Sequence, residues 1–327
     1  MSIIQAQKIM QEDLVHARLP HDEKYALGSA FINGEYKGIH EAAIPIVDMG
    51  FMHADAAYDV VTVSKGEFFR LDDHLARMEA SCSKFALKNP YTREQTKEIL
   101  TNLIKLAGTK DAYVWWCVTR GMMSGGDRGD LAAYDNCMYA FVVPYLFIAD
   151  DAKRNRGLDL LISCKYIRIP VDAVDPTAKN FHWMDMKLAL FEAREHGKDW
   201  SVLTDSEGYL TEAPGANIFL IKDGEVYTPD SGCLEGITRK TVLDLAKELG
   251  VPAHITRVHK QQLVNADEAF ICSSAGAIAP VNSVDGKVLG GIAGPGPLTG
   301  KFHDLYWEKR WNGWHGVPVD YDTALTI

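Results

Sequence analysis

Short runs rich in β-branched and aromatic residues recur along this 327-residue chain, and only a few amphipathic helical stretches separate them. Residues 58–63 (YDVVTV), 112–118 (AYVWWCV) and 137–147 (CMYAFVVPYLF) are bounded by turn formers and read as strands. Two helices are predicted among them. Residues 72–87 place Leu75, Met78, Cys82 and Phe85 on one face behind an Asp72 cap, and residues 92–107 open with the capping pair Thr92 and Gln95 and close at Gly108. The first half therefore reads as an α+β block.

A polar stretch at 149–157 (ADDAKRNRG) interrupts the apolar pattern and is expected to be a linker between domains 1–148 and 158–327. Beyond it come a strand at 158–163 and a helix near 184–196. Two hairpins are predicted to turn at Asp223-Gly224 and Asp285-Gly286. A helix is expected at 237–249, with strands near 253–258 and 268–272. Many short strands among few helices favour a barrel-like or curved sheet over a doubly wound one.

Composition excludes several function classes. Apolar residues make up 47% and the formal net charge is −10, so no basic excess exists to neutralise nucleic-acid phosphates or an anionic membrane. No apolar run reaches the roughly 18 residues that a membrane-spanning helix needs. Charges fall where a signal peptide would carry its apolar core, so a cytoplasmic protein is expected. The six cysteines include no C-x-x-C pair and read as small buried hydrophobes in a reducing compartment.

The phosphate-binding G-x-x-x-x-G-K-[ST] and the nucleophile-elbow G-x-S-x-G are both absent. Gly294-Pro295-Gly296 reads as a turn-rich loop. His53-Ala54-Asp55 and Asp72-Asp73-His74 offer metal-ligand chemistry, but a capped helix and a loop histidine explain them better, and no metal is expected.

Residues 175–185 (DPTAKNFHWMD) are more informative. Lys179 is the only cation among small and aromatic neighbours, a setting that disfavours the ammonium form and releases a free amine for Schiff-base chemistry. Gly236-Ile237-Thr238 opens a helix whose backbone N–H groups can receive an anion. Ser273-Ser274 ends a strand with two hydroxyls, and Glu212 stands in a glycine-containing turn. A carbonyl-bearing cofactor with one phosphate and one basic ring nitrogen needs a lysine, a phosphate cradle and an acid.

At these residues the sequence resembles the class IV, fold-type IV pyridoxal-phosphate aminotransferases, and most of all their (R)-selective amine transaminase subgroup. The resemblance runs through Gly50–Asp55, Tyr58-Asp59-Val60, Phe68–Arg77, Val118–Gly121, Asp175–Asn180, Leu210–Glu212, Gly236–Arg239 and Cys272–Gly276. It implies a small N-terminal α+β domain, a larger C-terminal barrel-like domain carrying Lys179, and a homodimer with shared active sites. It implies pyridoxal 5'-phosphate as cofactor, bonded by Lys179. The phosphate would be held by Arg77, Ile237, Thr238, Ser273 and Ser274, the ring nitrogen by Glu212 and the ring face by Leu234. His53, Tyr58, Val60, Trp115, Arg128 and Trp183 would line the substrate pocket, taking a small-molecule amine and a keto acid such as pyruvate. Trp115 and Pro214 depart from the subgroup's pattern, and an indole at 115 is expected to narrow one side of the pocket. Branched-chain L- or D-amino-acid transamination, a same-fold lyase and a metal-dependent hydrolase are the alternative readings.

Overall fold

The computed structural model describes residues 2–325. In chain order the elements are α1 (Ala6–Glu12), β1 (Ser29–Ile32), β2 (Glu35–Gly38), α2 (Met49–His53), β3 (Ala56–Ser64), β4 (Glu67–Phe69), α3 (Leu71–Lys84), α4 (Arg93–Ala107), β5 (Ala112–Met123) and β6 (Tyr134–Pro144). There follow α5 (Asp151–Arg156), β7 (Leu158–Ile162), α6 (Met184–Glu195), β8 (Trp200–Val202), β9 (Asn217–Lys222), β10 (Glu225–Thr228), α7 (Ile237–Glu248) and β11 (Ala253–Ile255). The chain closes with α8 (Lys260–Val264), β12 (Glu268–Ser273), β13 (Ala277–Val284), β14 (Lys287–Val288), α9 (Pro297–Trp311) and β15 (Gly316–Pro318).

One compact unit comprises Met10–Leu146, Ala178–Phe181 and the chain from Gly313 onward. Its seven-stranded sheet has the order β15-β4-β3-β5-β6-β1-β2. Strand alternation divides β3 between two environments. Ala57, Val61 and Val63 join a core with Leu75, Met78 and Cys82 of α3 and Ile99, Leu100 and Leu103 of α4. Tyr58 and Val60 point to the opposite face. The predicted Thr92–Gln95 capping box is present, and Gly108 ends α4 in the left-handed region. Asp72 is not the cap of α3, however. Arg70 takes that place in a left-handed conformation, held by the His315 carbonyl at 3.0 Å from its N–H.

The other unit comprises the chain through Ile9, Phe147–Thr177 and His182–Asn312. Its eight-stranded sheet runs β11-β10-β9-β12-β13-β7-β8, with β14 on β13. Both predicted hairpins form, at Asp223-Gly224 and Asp285-Gly286, all four residues having positive φ as a type I′ turn requires. Two expectations need correcting. The presumed linker at 149–157 contains α5, which Asp150 caps through the Lys153 N–H and whose Arg154 is buried. Its acidic start and basic end suit the helix dipole, a signal present in the sequence. The boundary at 148/158 also misplaces Lys179, whose segment Ala178–Phe181 belongs with the seven-stranded unit. The segment Gly294-Pro295-Gly296 is a loop as expected, and it leads into α9, whose first amides at Leu298 and Thr299 are received by the Glu268 carboxylate from β12. That cap lies 30 residues away in sequence and leaves no local trace.

Four of the six cysteines are buried as expected, whereas Cys137 is half-buried and Cys164 exposed. Burial pushes the Cys82 and Cys233 thiols up to about 12. Among the described residues no helix is long and apolar enough to cross a membrane.

Candidate active site

Lys179 is half-buried beside the first residues of β3. Tyr58 N–H donates to the Lys179 carbonyl at 3.0 Å, Lys179 N–H donates to Ser81 Oγ at 3.0 Å, and Asn180 bridges Ala57 as in an antiparallel pair. Because neighbours alternate faces, this register sends Lys179 and Phe181 to the side of the sheet that carries Tyr58. The Lys179 ammonium accordingly lies 4.4 Å from the centroid of the Tyr58 ring.

An aromatic run continues from there. Trp115 stacks on Tyr58 at 5.8 Å and on Phe141 at 5.2 Å, and Phe181 meets both Tyr58 and Trp115. Trp115, Phe141 and Phe181 also line a cavity of about 600 Å³ whose other walls include Ala30, Ile32 and Phe51. Among the described residues, no charged side chain lines it. Of the remaining substrate candidates in this unit, Val60 is buried beside Tyr58 on the same strand, while His53 is exposed at the end of α2 with its Nδ1 3.3 Å from Met49 Sδ. Arg128 is exposed in the loop between β5 and β6.

On the core face of β3, Asp59 is fully buried and bound on every side. Its carboxylate accepts from Arg77 Nε and Nη2, both at 2.8 Å, from His74 Nδ1 at 2.7 Å and from the Val60 N–H at 2.7 Å. The i, i+3 spacing of His74 and Arg77 on α3 delivers both to the same acceptor. Burial alone would raise the Asp59 pKa, but the Arg77 guanidinium and then His74 outweigh it and hold the carboxyl well below the usual range. Burial lowers the His74 pKa, keeping the imidazole neutral at pH 7.

The eight-stranded unit builds a second buried ion network. Glu212 Oε1 accepts from Arg168 Nε at 2.9 Å and Oε2 from the Leu234 N–H at 3.1 Å, while Arg168 Nη1 also donates to Asp185 at 2.7 Å. Arg168 had no local signal in the sequence. Pro214-Gly215 forms a tight turn in which Gly215 has φ +71 and Ala213 and Ala216 pair, and the Pro214 carbonyl accepts from Trp200 Nε1. Trp183 packs over Gly215, where a Cβ would stand 3.0 Å from the indole.

Helix α7 begins without a side-chain cap. A Cβ on Gly236 would fall 2.0 Å from Asn217 Oδ1, and Asn217 Nδ2 meanwhile donates to the Leu234 carbonyl at 2.7 Å. Glycine lets the turn approach Asn217 of β9 closely and leaves the first amides of the helix, Ile237 and Thr238, without a side-chain cap from the residue before them. Ser273 and Ser274 are half-buried at the end of β12, and Ser273 Oγ accepts from the Ala275 N–H at 3.2 Å.

Residues 56–284 match the family described as Amino-transferase class IV. The chain belongs to that family. A branched-chain-amino-acid aminotransferase of Pseudomonas aeruginosa is 32% identical over 266 residues, covering 80% of this chain and 83% of its own. A D-alanine aminotransferase of Bacillus licheniformis is 27% identical, covering 82% and 92%. Among solved structures, the branched-chain amino acid aminotransferase from Thermobaculum terrenum in its PLP-bound holo-form superposes with a TM-score of 0.77 at 25% identity, covering 90% of this chain and 99% of that one.

As a class IV aminotransferase, the enzyme uses pyridoxal phosphate. The residues present fit such a group: an uncapped helix start suits a phosphate, and a buried carboxylate suits a protonated ring nitrogen. Glu212 is held in place by Arg168 Nε and the Leu234 N–H, which fixes the buried carboxylate's position. The metal-hydrolase alternative loses its ligands. Asp55 pairs with Arg120 Nε at 3.0 Å, His74 pairs with Asp59, and among the described residues no group of three or more His, Cys, Asp or Glu could hold a metal ion.

Proposed function

We propose that this class IV aminotransferase moves an amino group from an (R)-configured primary amine to a keto acid such as pyruvate in a ping-pong reaction. The observation that carries the reading is the uncharged aromatic wall running from Lys179 through Tyr58 and Trp115 to an apolar cavity. An amino-acid donor brings a carboxylate that needs a cation beside it, whereas an arylalkylamine brings only apolar surface. Arg128 would pair with the carboxylate of the keto acid; the names of the relatives favour a second reading, transamination of branched-chain L- or D-amino acids.

Pyridoxal phosphate, when bound, supplies a carbonyl that captures amines and a ring that withdraws electrons. The chain's own residues do the rest. Lys179 Nζ would bond the cofactor at rest, then as a free amine take the proton from the donor's amine-bearing carbon and pass it to the cofactor carbon within the same half-reaction, with the direction reversed for the keto acid. Glu212 keeps a proton on the ring nitrogen. Ile237 and Thr238 N–H, Ser273, Ser274 and Arg77 bind the phosphate, and Leu234 packs on the ring. His53, Tyr58, Val60, Trp115 and Trp183 shape the pocket, with Trp115 favouring small alkyl substituents on one side.

We also propose a cytoplasmic homodimer. The run Ile44, Ile46, Val47, Phe51 and Met52 is exposed on one unit, an apolar strip of the kind that subunit contact buries, and light scattering of the purified protein tests it.

The deciding experiment is the visible spectrum before and after (R)-1-phenylethylamine without acceptor. Bleaching that pyruvate reverses supports the amine reading, whereas bleaching only by leucine or D-alanine moves the assignment to amino acids. Lys179→Ala should abolish turnover and the mass adduct trapped by borohydride, and retained turnover would sink the assignment of Lys179.

A further inference from the structure

The network around Asp59 has a geometry that the transamination reading does not use. Asp59 has no exposed surface, and its Oδ1 accepts from Val60 N–H, His74 Nδ1 and Arg77 Nη2 while its Oδ2 accepts from Arg77 Nε. Two of those bonds go to one edge of the Arg77 guanidinium, the edge formed by Nε and Nη2. A planar guanidinium gripped along one edge has its plane and its opposite end fixed, which a single contact would not achieve. The Arg77 side chain keeps 11% of its surface exposed while that of Asp59 keeps none, so the anion is the more deeply buried partner. The helix carrying Arg77 is itself pinned at its first turn, where Arg70 N–H meets the His315 carbonyl.

We infer that Asp59 is a positioning residue for cofactor phosphate: it clamps Arg77, with His74 as its second support, so that the outer end of the guanidinium is oriented for the phosphate before the cofactor arrives. The inference rests on the reading of Arg77 as a phosphate ligand. It assigns to a buried acid and a neutral histidine a part in selecting phosphorylated over unphosphorylated ligand, without contact to either.

Pre-organisation of this kind acts on the phosphate alone, which separates it from a merely structural role. The test measures the dissociation constants of the apoenzyme for pyridoxal phosphate and for pyridoxal, which lacks the phosphate, by quenching of tryptophan fluorescence. Asp59→Asn keeps the shape but not the charge. It should weaken pyridoxal phosphate by about tenfold or more while pyridoxal changes by less than about twofold. Arg77→Gln should show the same phosphate-selective loss, and the double variant should lose little beyond either single one, because both remove one coupled unit. His74→Leu, which leaves the Asp59–Arg77 pair intact, should shift the ratio of the two constants in the same direction by less. It decides the matter should Asp59→Asn fail to fold.

Equal weakening of both ligands, or an unchanged constant for pyridoxal phosphate in a folded Asp59→Asn protein, would overturn the positioning role. An unchanged ratio in Arg77→Gln would instead remove the phosphate role of Arg77, and the inference with it. An unchanged ratio in Asp59→Asn beside a collapsed one in Arg77→Gln would leave Arg77 standing and refute Asp59 alone.

Discussion

The Lys179 ammonium stands 4.4 Å from the centre of the Tyr58 ring, and the backbones of the two residues are joined by the Tyr58 N–H to Lys179 carbonyl bond. The lysine is thus tied to β3 twice, by main chain and by ring face. Backbone pairing fixes where the side chain starts, and the ring fixes where it points.

Tyr58 should therefore matter as an aromatic face. A cation over an aromatic ring is worth about 0.5–2 kcal/mol. Tyr58→Phe should keep most of kcat, whereas Tyr58→Leu should lower it by about threefold to thirtyfold, the same energy expressed as a rate. Steady-state kinetics of the two variants check this, and equal loss in both would point to the hydroxyl instead.

Gly236 should tolerate no side chain. Gly236→Ala places a Cβ 2.0 Å from Asn217 Oδ1, and relief means swinging the Asn217 side chain off its hydrogen bond to the Leu234 carbonyl or moving the α7 start. The expected cost is about 1–3 kcal/mol of stability, together with weaker cofactor retention on dialysis. Thermal unfolding reads the first and residual absorbance the second. A variant as stable as the parent would contradict the close approach.

Arg168 is the shared cation of two carboxylates. Arg168→Met leaves Glu212 and Asp185 buried in like charge, and breaking a buried pair in this way typically costs about 3–5 kcal/mol. Urea denaturation should show a large drop, of which Asp185→Asn in the same background restores part. Failure of that second change to restore anything would show the two acids to be independent.

Acid should destabilise the seven-stranded unit in two steps whose signs agree. The Asp59 pKa is lowered in the folded state, so its contribution is complete above the ordinary carboxylate range and is lost progressively as pH falls below about 4. The His74 pKa is lowered too, so the unfolded chain takes up a proton near pH 6.5 that the folded chain refuses, and stability begins to fall there. Stability measured from pH 8 down to pH 3 should decline throughout, and His74→Leu should flatten the portion between about pH 6.5 and 5. An unchanged upper portion in that variant would exclude His74.

The elements legible in the sequence are those whose signals are local. The capping box at Thr92 and Gln95, the Asp-Gly hairpins and the β-branched runs of β3 and β5 specify backbone shape through their own residues. The family motifs around Lys179, Glu212 and Gly236 were readable for a related reason: side-chain chemistry and backbone conformation are both written at the position itself. Helix α5 was legible too, in the Asp150 cap and the basic last turn, although its polarity reads like a linker.

Contacts made across sequence distance were decided by tertiary structure alone. The cap of α9 is Glu268, the partner of Glu212 is Arg168, and the anchor of α3 is the carbonyl of His315. Lys179 groups with the seven-stranded unit although strands of the other unit flank it in sequence, because pairing with β3 satisfies its backbone there. A hydrogen bond requires closeness in space, and only the folded chain sets which distant donors and acceptors become close. The sequence by itself determined which residues can perform the chemistry; the fold decided which buried partner holds each of them in place.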